Sequence, residues 1–149
     1  MTPQLHGWGI TILRTVTGTI FLLRGVEKLF VQSPRDWAHL LGELGSPSPL
    51  AVATGSSLVE LLCGLALVVG LFTRWFCVPL ALLMVGDILL IHGSNGFFQH
   101  NNGYEYALLR FTATVVLIFT GPGKVALDTM LGPRKALARK APGFSSVPR

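Results

Sequence analysis

Four ionisable residues interrupt long apolar stretches of this 149-residue chain, at positions that a bilayer would surround. They are two bases and two acids: Arg24, Glu60, Asp87 and Arg110. An isolated charge near the middle of a membrane costs about 3 kcal/mol or more, so we expect these side chains to face one another inside a helical bundle. Arginine binds oxygen-rich groups, and buried carboxylates can exchange protons. The residue types therefore predict a binding site or a set of ion pairs.

Long apolar runs predict four transmembrane helices that carry these charges. Their predicted bounds are about 10–30, 50–72, 75–91 and 106–121. With a rise of about 1.5 Å per residue, each helix places one charge roughly 16 to 21 Å from the same membrane face. We therefore predict an all-α membrane protein, a four-helix transmembrane bundle with a polar chamber in its outer half and an apolar cytoplasmic half.

A second group of ionisable residues is predicted about one helical turn nearer the outer face, among them Lys28. Tyr106 lies four residues before Arg110, on the same helix face. We predict that the chamber binds a ligand through Arg24, Lys28, Tyr106 and Arg110, and that Glu60, Asp87, His92 and Glu105 transfer protons. The alternative is that the charges only fix the helix register, as buried ion pairs do in some proteins.

Two connecting segments have recognisable patterns. Ser33 and Pro34 are typical of a helix N-cap and first helical residue, and Asp36 occupies the capping-box position. Trp37 and the leucines after it follow helical spacing, which predicts a short interfacial amphipathic helix between helices one and two, with Trp37 as its membrane anchor. The segment 93–103 contains three glycines and is predicted to be a loop.

The charge distribution predicts both class and orientation. The chain is 50% hydrophobic and only 13% charged, with a net charge of +5. Five bases and no acid lie in 134–149, so 1–133 is formally neutral, and this excludes a basic nucleic-acid-binding domain. Basic residues concentrate on the side of the two termini, which predicts a multi-pass protein of the cell membrane with both termini cytoplasmic. We expect 1–133 to be one transmembrane domain and 134–149 a flexible basic cytoplasmic tail.

Several catalytic classes lack their motifs. Cys63 and Cys77 do not form a CxxC pair, which argues against a membrane dithiol mechanism and against a structural disulfide. The four histidines are too scattered to predict a metal site. No phosphate-binding loop, dinucleotide fingerprint or hydrolase motif is present.

Five motifs occur in order along the chain. They are GxxFxxxGxxKL at 18–29, ExxxGxxLxxGLxTR at 60–74, HxxxGFF at 92–98, GxEYxLL at 103–109 and GPGxxxLD at 121–128. With them the sequence resembles the DoxX family of small four-helix membrane proteins, from Gly18 to Asp128. The family motifs contain five of the predicted site residues: Lys28, Glu60, His92, Glu105 and Tyr106. The other three come from the depth argument alone.

The resemblance implies a role in membrane redox chemistry. The family is named for a subunit of a quinone-linked, thiosulfate-oxidising complex, and its members are associated with redox stress and membrane oxidoreductase assemblies. We expect a DoxX-like subunit of a redox system that binds a quinone or another small reducible molecule in the polar chamber. The resemblance does not decide whether the chain is itself an enzyme.

The expected partners are the lipid bilayer and other membrane or peripheral redox subunits, with a homo-oligomer left open. One alternative function is a non-enzymatic membrane partner or assembly factor whose intramembrane charges are structural. Another is a small-solute carrier, which ranks last because no predicted span is clearly interrupted at depth.

Overall fold

The structure, a computed structural model, describes residues 3–128, and these are helical with short connections and no strand. The predicted basic tail at 134–149 lies outside the described residues. The five α-helices are α1 (Pro3–Val26), α2 (Pro34–Glu43), α3 (Pro49–Val69), α4 (Thr73–Gly86) and α5 (Glu105–Thr120). Wider π-helical turns extend α1 through Glu27–Val31 and α4 through Asp87–His92.

Three helical segments are long and apolar enough to cross a bilayer: Leu5–Val31, Pro49–Val69 and Thr73–Asn95. They make the chain a multi-pass membrane protein. The fourth predicted span, 106–121, coincides with α5, which has 16 residues. Such a helix is about 24 Å long, less than a hydrocarbon core of about 30 Å. The helix is present where it was predicted, and its crossing of the membrane stays a prediction.

The long helices pack side by side between two ends of the molecule. α3 packs against α1 and α4, and α5 packs against α4 and more sparsely against α1. We call the end that carries α2 and the segment 93–104 the loop end. The opposite end carries the turn at 70–73 and the segment 121–128, and we call it the terminal end.

Small residues bring α1 and α3 together. A Cβ atom on Gly25 would lie 2.6 Å from the backbone nitrogen of Leu61, and one on Gly18 would lie 2.8 Å from that of Val68. Gly64, on α3, packs in the same way against α1. Side chains larger than hydrogen would force the two helices apart, so these family-motif glycines set the close approach.

The interior contains fully buried apolar side chains from α1, α3, α4 and α5: Phe21, Leu67, Leu80, Met84 and Leu117. Large apolar side chains also point outward, for example Trp75 and Phe119, which are 78% and 77% exposed. An apolar outer surface around an apolar core is typical of helices in lipid, where the solvent is as apolar as the interior.

The terminal end is less apolar than the sequence predicted. Arg14 is 3% exposed, and its guanidinium donates hydrogen bonds to the carbonyl oxygens of Pro122 at 2.6 Å and Val125 at 2.8 Å. The prediction of an apolar cytoplasmic half is wrong at this residue. Backbone carbonyls of the segment 121–128 accept hydrogen bonds from both terminal nitrogens of the guanidinium, and the side-chain types in the sequence give no indication of such partners.

Asp128 closes the same end. Its carboxylate oxygens accept hydrogen bonds from the backbone nitrogens of Phe72 at 2.6 Å and Thr73 at 3.0 Å, at the start of α4. A carboxylate at a helix N-terminus satisfies free N–H groups and the helix dipole. The motif GPGxxxLD therefore has a structural role here.

The predicted short helix is confirmed as α2. Pro34 is its first residue, and the Ser33 hydroxyl accepts a hydrogen bond from the Arg35 backbone nitrogen at 3.3 Å. α2 packs against α3 and lies over the loop end. The predicted loop at 93–103 is also confirmed, with two short 3-10 turns at Gly93–Asn95 and Gln99–Asn101.

Candidate functional site

The tightest contact between ionisable side chains joins Lys28 to Glu60. The Lys28 Nζ lies 2.9 Å from Glu60 Oε1, and the two side chains are 7% and 1% exposed. The sequence placed Lys28 about one turn nearer the loop end than Glu60. Helical side chains lean toward the helix N-terminus, so the Lys28 ammonium reaches back to the carboxylate. Its neighbour Glu27 points away and accepts a hydrogen bond from Gln32 at 2.8 Å.

The second contact is looser. Arg110 Nη2 lies 3.8 Å from Asp87 Oδ2, too far for a hydrogen bond, and the side chains are 4% and 16% exposed. The Tyr106 ring stacks on the Arg110 guanidinium, with 4.7 Å from Cζ to the ring centre. Within residues 3–128, neither Nε nor Nη1 of Arg110 has a hydrogen-bond partner. Arg110 therefore has buried donors that are available for further hydrogen bonds.

Arg24 adds a further positive charge. It forms no ion pair with any described residue, and its buried Nε has no hydrogen-bond partner among them. Its side chain lines the same cavity as Arg110. We define the charged cluster as Arg24, Lys28, Glu60, Asp87 and Arg110. Because Lys28 joins the four residues chosen by depth, the cluster has three positive and two negative groups, so its formal charge is +1 and not zero.

Two cavities adjoin the charged cluster at the loop end. The polar cavity, about 170 Å³, is lined by Arg24, His92, Gln99, Asn102, Tyr106 and Arg110, among others. The apolar cavity, about 220 Å³, has Lys28 and Asp87 among mostly apolar side chains of α2, α3 and α4. Trp37 and Ile91 line both. The predicted single chamber is therefore divided, with these two side chains at the division.

Trp37 also covers the Lys28–Glu60 pair. Its ring centre lies 4.7 Å from Lys28 Nζ, and its indole nitrogen donates a hydrogen bond to Gln32 Oε1 at 2.9 Å. The sequence analysis assigned Trp37 only to the membrane surface. A tryptophan at the start of an amphipathic helix is compatible both with anchoring at the membrane surface and with covering an ion pair, so the sequence does not distinguish these two roles.

His92 and Glu105 are placed differently from each other. His92 Nδ1 lies 2.7 Å from the carbonyl oxygen of Asn102. Since a carbonyl only accepts, Nδ1 carries the proton in the neutral ring, and Nε2 is left as the basic nitrogen. Glu105 is exposed, and its carboxylate accepts a hydrogen bond from the Gln99 backbone nitrogen at 3.1 Å.

The structure thus brings most of the predicted site residues together, but not all. The polar cavity has four of the predicted site residues in its lining: Arg24, His92, Tyr106 and Arg110. Lys28 and Asp87 line the apolar cavity, and Glu60 lies buried behind Lys28. Glu105 lies outside the charged cluster and holds the loop. Gln99 and Asn102 line the polar cavity although the sequence analysis gave them no role.

Asn102 occupies the left-handed region, with φ of 62°, which asparagine tolerates better than most residues. Gly96, with φ of 80°, and the tightly packed Gly103 fold the segment 93–104 back on itself. These three residues bring His92 and the start of α5 to the same cavity. The described residues contain no group of three or more His, Cys, Asp or Glu side chains that could hold a metal ion.

Comparison with known proteins gives one family and several relatives. The family model described as DoxX matches residues 9–93. An uncharacterized membrane protein of Mycobacterium tuberculosis is 29% identical over 87% of this chain and 87% of its own length. A Bacillus subtilis protein named "Putative oxidoreductase CatD" is 32% identical over 80% of this chain and 84% of its own. A Haemophilus influenzae protein is 34% identical over 84% of each. No solved structure matches the chain.

Proposed function

Because this chain belongs to the DoxX family, we propose that it is an integral membrane subunit of a redox system, and that it binds a quinone-like head group in the polar cavity. The observation that carries the proposal is the set of unpartnered donors on Arg110 and Arg24, in a cluster with one excess positive charge. Buried donors without partners are costly, and a ligand with carbonyl oxygens would satisfy them. The relative named as an oxidoreductase supports the redox class.

Each residue at the polar cavity has a definite role in this proposal. Arg110 and Arg24 donate hydrogen bonds to the carbonyl oxygens of the head group, and the Tyr106 ring holds the Arg110 guanidinium in position. Reduction of a quinone consumes protons as well as electrons. His92 supplies or takes a proton at Nε2, while Asp87 balances the charge of Arg110. The electrons come from another membrane or peripheral redox protein.

The proposal also includes how the helices cross the membrane. α5 runs from the loop end, where Glu105 contacts Gln99, to the terminal end, where the carbonyl of Phe119 faces Arg74. It therefore extends along α4 from one end to the other, and we propose it as the fourth span of a four-helix transmembrane bundle in the cell membrane. The terminal end then faces the cytoplasm, following the basic residues near it.

The function is tested by ligand binding to the full chain in mild detergent. We expect decylubiquinone to bind, as seen by native mass spectrometry and by quenching of the fluorescence of Trp37 in a Trp8→Phe, Trp75→Phe background. Arg110→Met should abolish binding, and Arg35→Met, an exposed arginine on α2, should leave it unchanged. Equal binding by the Arg110 variant would contradict the proposal.

Tyr106→Phe provides a variant that keeps the fold. The Tyr106 hydroxyl forms no hydrogen bond with a described residue, so its loss should leave stability unchanged. If it donates to the ligand, binding should weaken about fivefold, the usual size of one hydrogen bond. Equal quinone binding by this variant and the parent would show that the hydroxyl does not contact the ligand, because phenylalanine keeps the ring that holds Arg110.

The second candidate function is a non-enzymatic membrane partner or assembly factor. The short ion pair of Lys28 with Glu60 favours it, because Lys28 needs no ligand to balance its charge, although the buried Oε2 of Glu60 has no hydrogen-bond partner among the described residues. A stoichiometric protein partner that copurifies, together with no binding of added quinone, would favour this function over the first.

A further inference from the structure

An apolar groove lies between α1 and α5, on the side of the molecule where these helices pack sparsely. We call it the α1–α5 groove. Its volume is about 170 Å³, and its apolar lining includes Leu13, Val16, Ile20, Leu109 and Ala113. Val16 and Leu109 are 53% and 65% exposed, so the groove is open along the outer surface of the helices.

The α1–α5 groove adjoins the polar cavity. Tyr106 and Arg110 line both of them. One side of this pair therefore faces polar side chains and unpartnered donors, and the other faces an apolar trough at the depth of the spans. A molecule whose polar head contacts Arg110 would have its apolar tail beside this groove.

We infer that the ligand is a membrane-dissolved amphiphile that reaches Arg110 and Tyr106 from the lipid, with its apolar tail in the α1–α5 groove. This inference rests on the proposed function and narrows its ligand to a quinone with a hydrocarbon tail. The polar cavity alone holds only a compact head group. The hydrocarbon tail of such a molecule would lie in the groove, and α1 and α5 would not have to separate.

A larger cavity of about 470 Å³ has Phe97 and Leu109 in its lining and shares Gln99 and Tyr106 with the polar cavity. None of the three cations of the charged cluster lines it. A tail placed there would be close to Tyr106 but would not continue from Arg110. The presence of Arg110 in its lining therefore favours the α1–α5 groove, and Thr112, which lines only the larger cavity, provides the matched control.

The experiment compares two probes on the same protein in nanodiscs. One is decylubiquinone, and the other is the same dimethoxy-methyl benzoquinone without a tail. Binding is read from quenching of Trp37 fluorescence, with concentrations expressed per lipid so that partitioning cancels. The variants are Ala113→Phe and Val16→Phe, which fill the groove, and Thr112→Phe, which fills the other cavity. Val16 is largely exposed, so this variant does not overpack the interior.

We expect the groove-filling variants to bind decylubiquinone about tenfold more weakly, the effect of a moderate steric clash. They should bind the tail-less probe as the parent does, and Thr112→Phe should bind both probes normally. A tail with a photoreactive diazirine should label α1 and α5 at the groove.

Three outcomes would overturn the inference while the proposed function stands. They are equal affinity of the groove variants for decylubiquinone, loss of tail binding only in Thr112→Phe, and equal weakening of both probes. If neither probe binds the parent protein, the proposed function itself fails, and with it the inference.

Discussion

A double-mutant cycle on Lys28 and Glu60 is the sharpest test of how the charged cluster is stabilised. At an Nζ–Oε1 distance of 2.9 Å and an effective dielectric constant of about 20, the two charges attract each other by about 6 kcal/mol. Removal of one partner leaves the other charge buried, and such losses amount to about 3–5 kcal/mol. Lys28→Met and Glu60→Leu should each lower the free energy of unfolding by about that amount.

The double variant should behave differently from the sum of the single ones. With both charges gone and apolar side chains in their place, we expect the free energy of unfolding to return to within about 1 kcal/mol of the parent protein. The coupling energy, the sum of the two single losses minus the loss in the double variant, is then about 5 kcal/mol or more, far above the value for independent sites. Unfolding in mixed micelles, followed by circular dichroism, measures all four proteins.

An exposed pair elsewhere in the chain supplies the control. His39 and Glu43 lie 3.4 Å apart on α2, with side chains 80% and 64% exposed. Glu43→Gln should change the free energy of unfolding by about 0.5 kcal/mol or less, because water screens the pair. Single variants of Lys28 and Glu60 that are as stable as this control, or a coupling energy below about 1 kcal/mol, would refute the reasoning.

Three further predictions test other parts of the fold. Gly25→Ala should destabilise the protein by about 1–3 kcal/mol, because a Cβ there meets the α3 backbone, whereas Gly55→Ala, with nothing within 4 Å, should be neutral or stabilising in the same assay. Asp128→Ala should cost about 0.5–2 kcal/mol and speed hydrogen exchange of the amides at the start of α4. Trp37→Ala should uncover the ammonium of Lys28, so that a small amine-reactive reagent labels it faster by mass spectrometry; an unchanged labelling rate would mean that Trp37 does not cover it.

Apolar periodicity and capping chemistry were enough to predict the helical elements. The predicted spans coincide with α1, α3, α4 and α5, and Ser33 and Pro34 begin α2 as predicted. These features depend on local sequence, where side-chain type and spacing decide the outcome. The largest difference in bounds is at α1, which begins at Pro3 and not near residue 10. The π-helical turns Glu27–Val31 and Asp87–His92 end within one residue of the predicted span ends, but no propensity argument predicts their wider geometry.

The depth of each charged residue along its helix predicted that the four side chains lie close together. It did not predict which of them form ion pairs. From charge alone, Arg24 and Arg110 are each expected to pair with one of the two carboxylates, Glu60 and Asp87. In the structure Glu60 pairs with Lys28, and Arg24 has no carboxylate among the described residues. Partner choice depends on side-chain direction and on the close α1–α3 approach at Gly25, neither of which is visible in the spacing of the charges. Arg14 was missed as a buried residue for a similar reason, since its partners are backbone carbonyls.

The two interpretations that the sequence left open, a binding site or stabilising ion pairs, apply to different residues of the same cluster. Lys28 and Glu60 form a short, buried hydrogen-bonded pair on the two helices that pack most closely. Arg110 is held only at 3.8 Å by Asp87 and keeps unpartnered donors beside a cavity. Both pairs leave buried atoms without a hydrogen-bond partner among the described residues, Oε2 of Glu60 in the first and Nε and Nη1 of Arg110 in the second. Only the second pair combines such atoms with the lining of the polar cavity, and an apolar pair of similar volume would avoid them. The imperfect pairing of Arg110 is therefore the stronger argument for a ligand, and the good pairing of Lys28 explains how the bundle tolerates it.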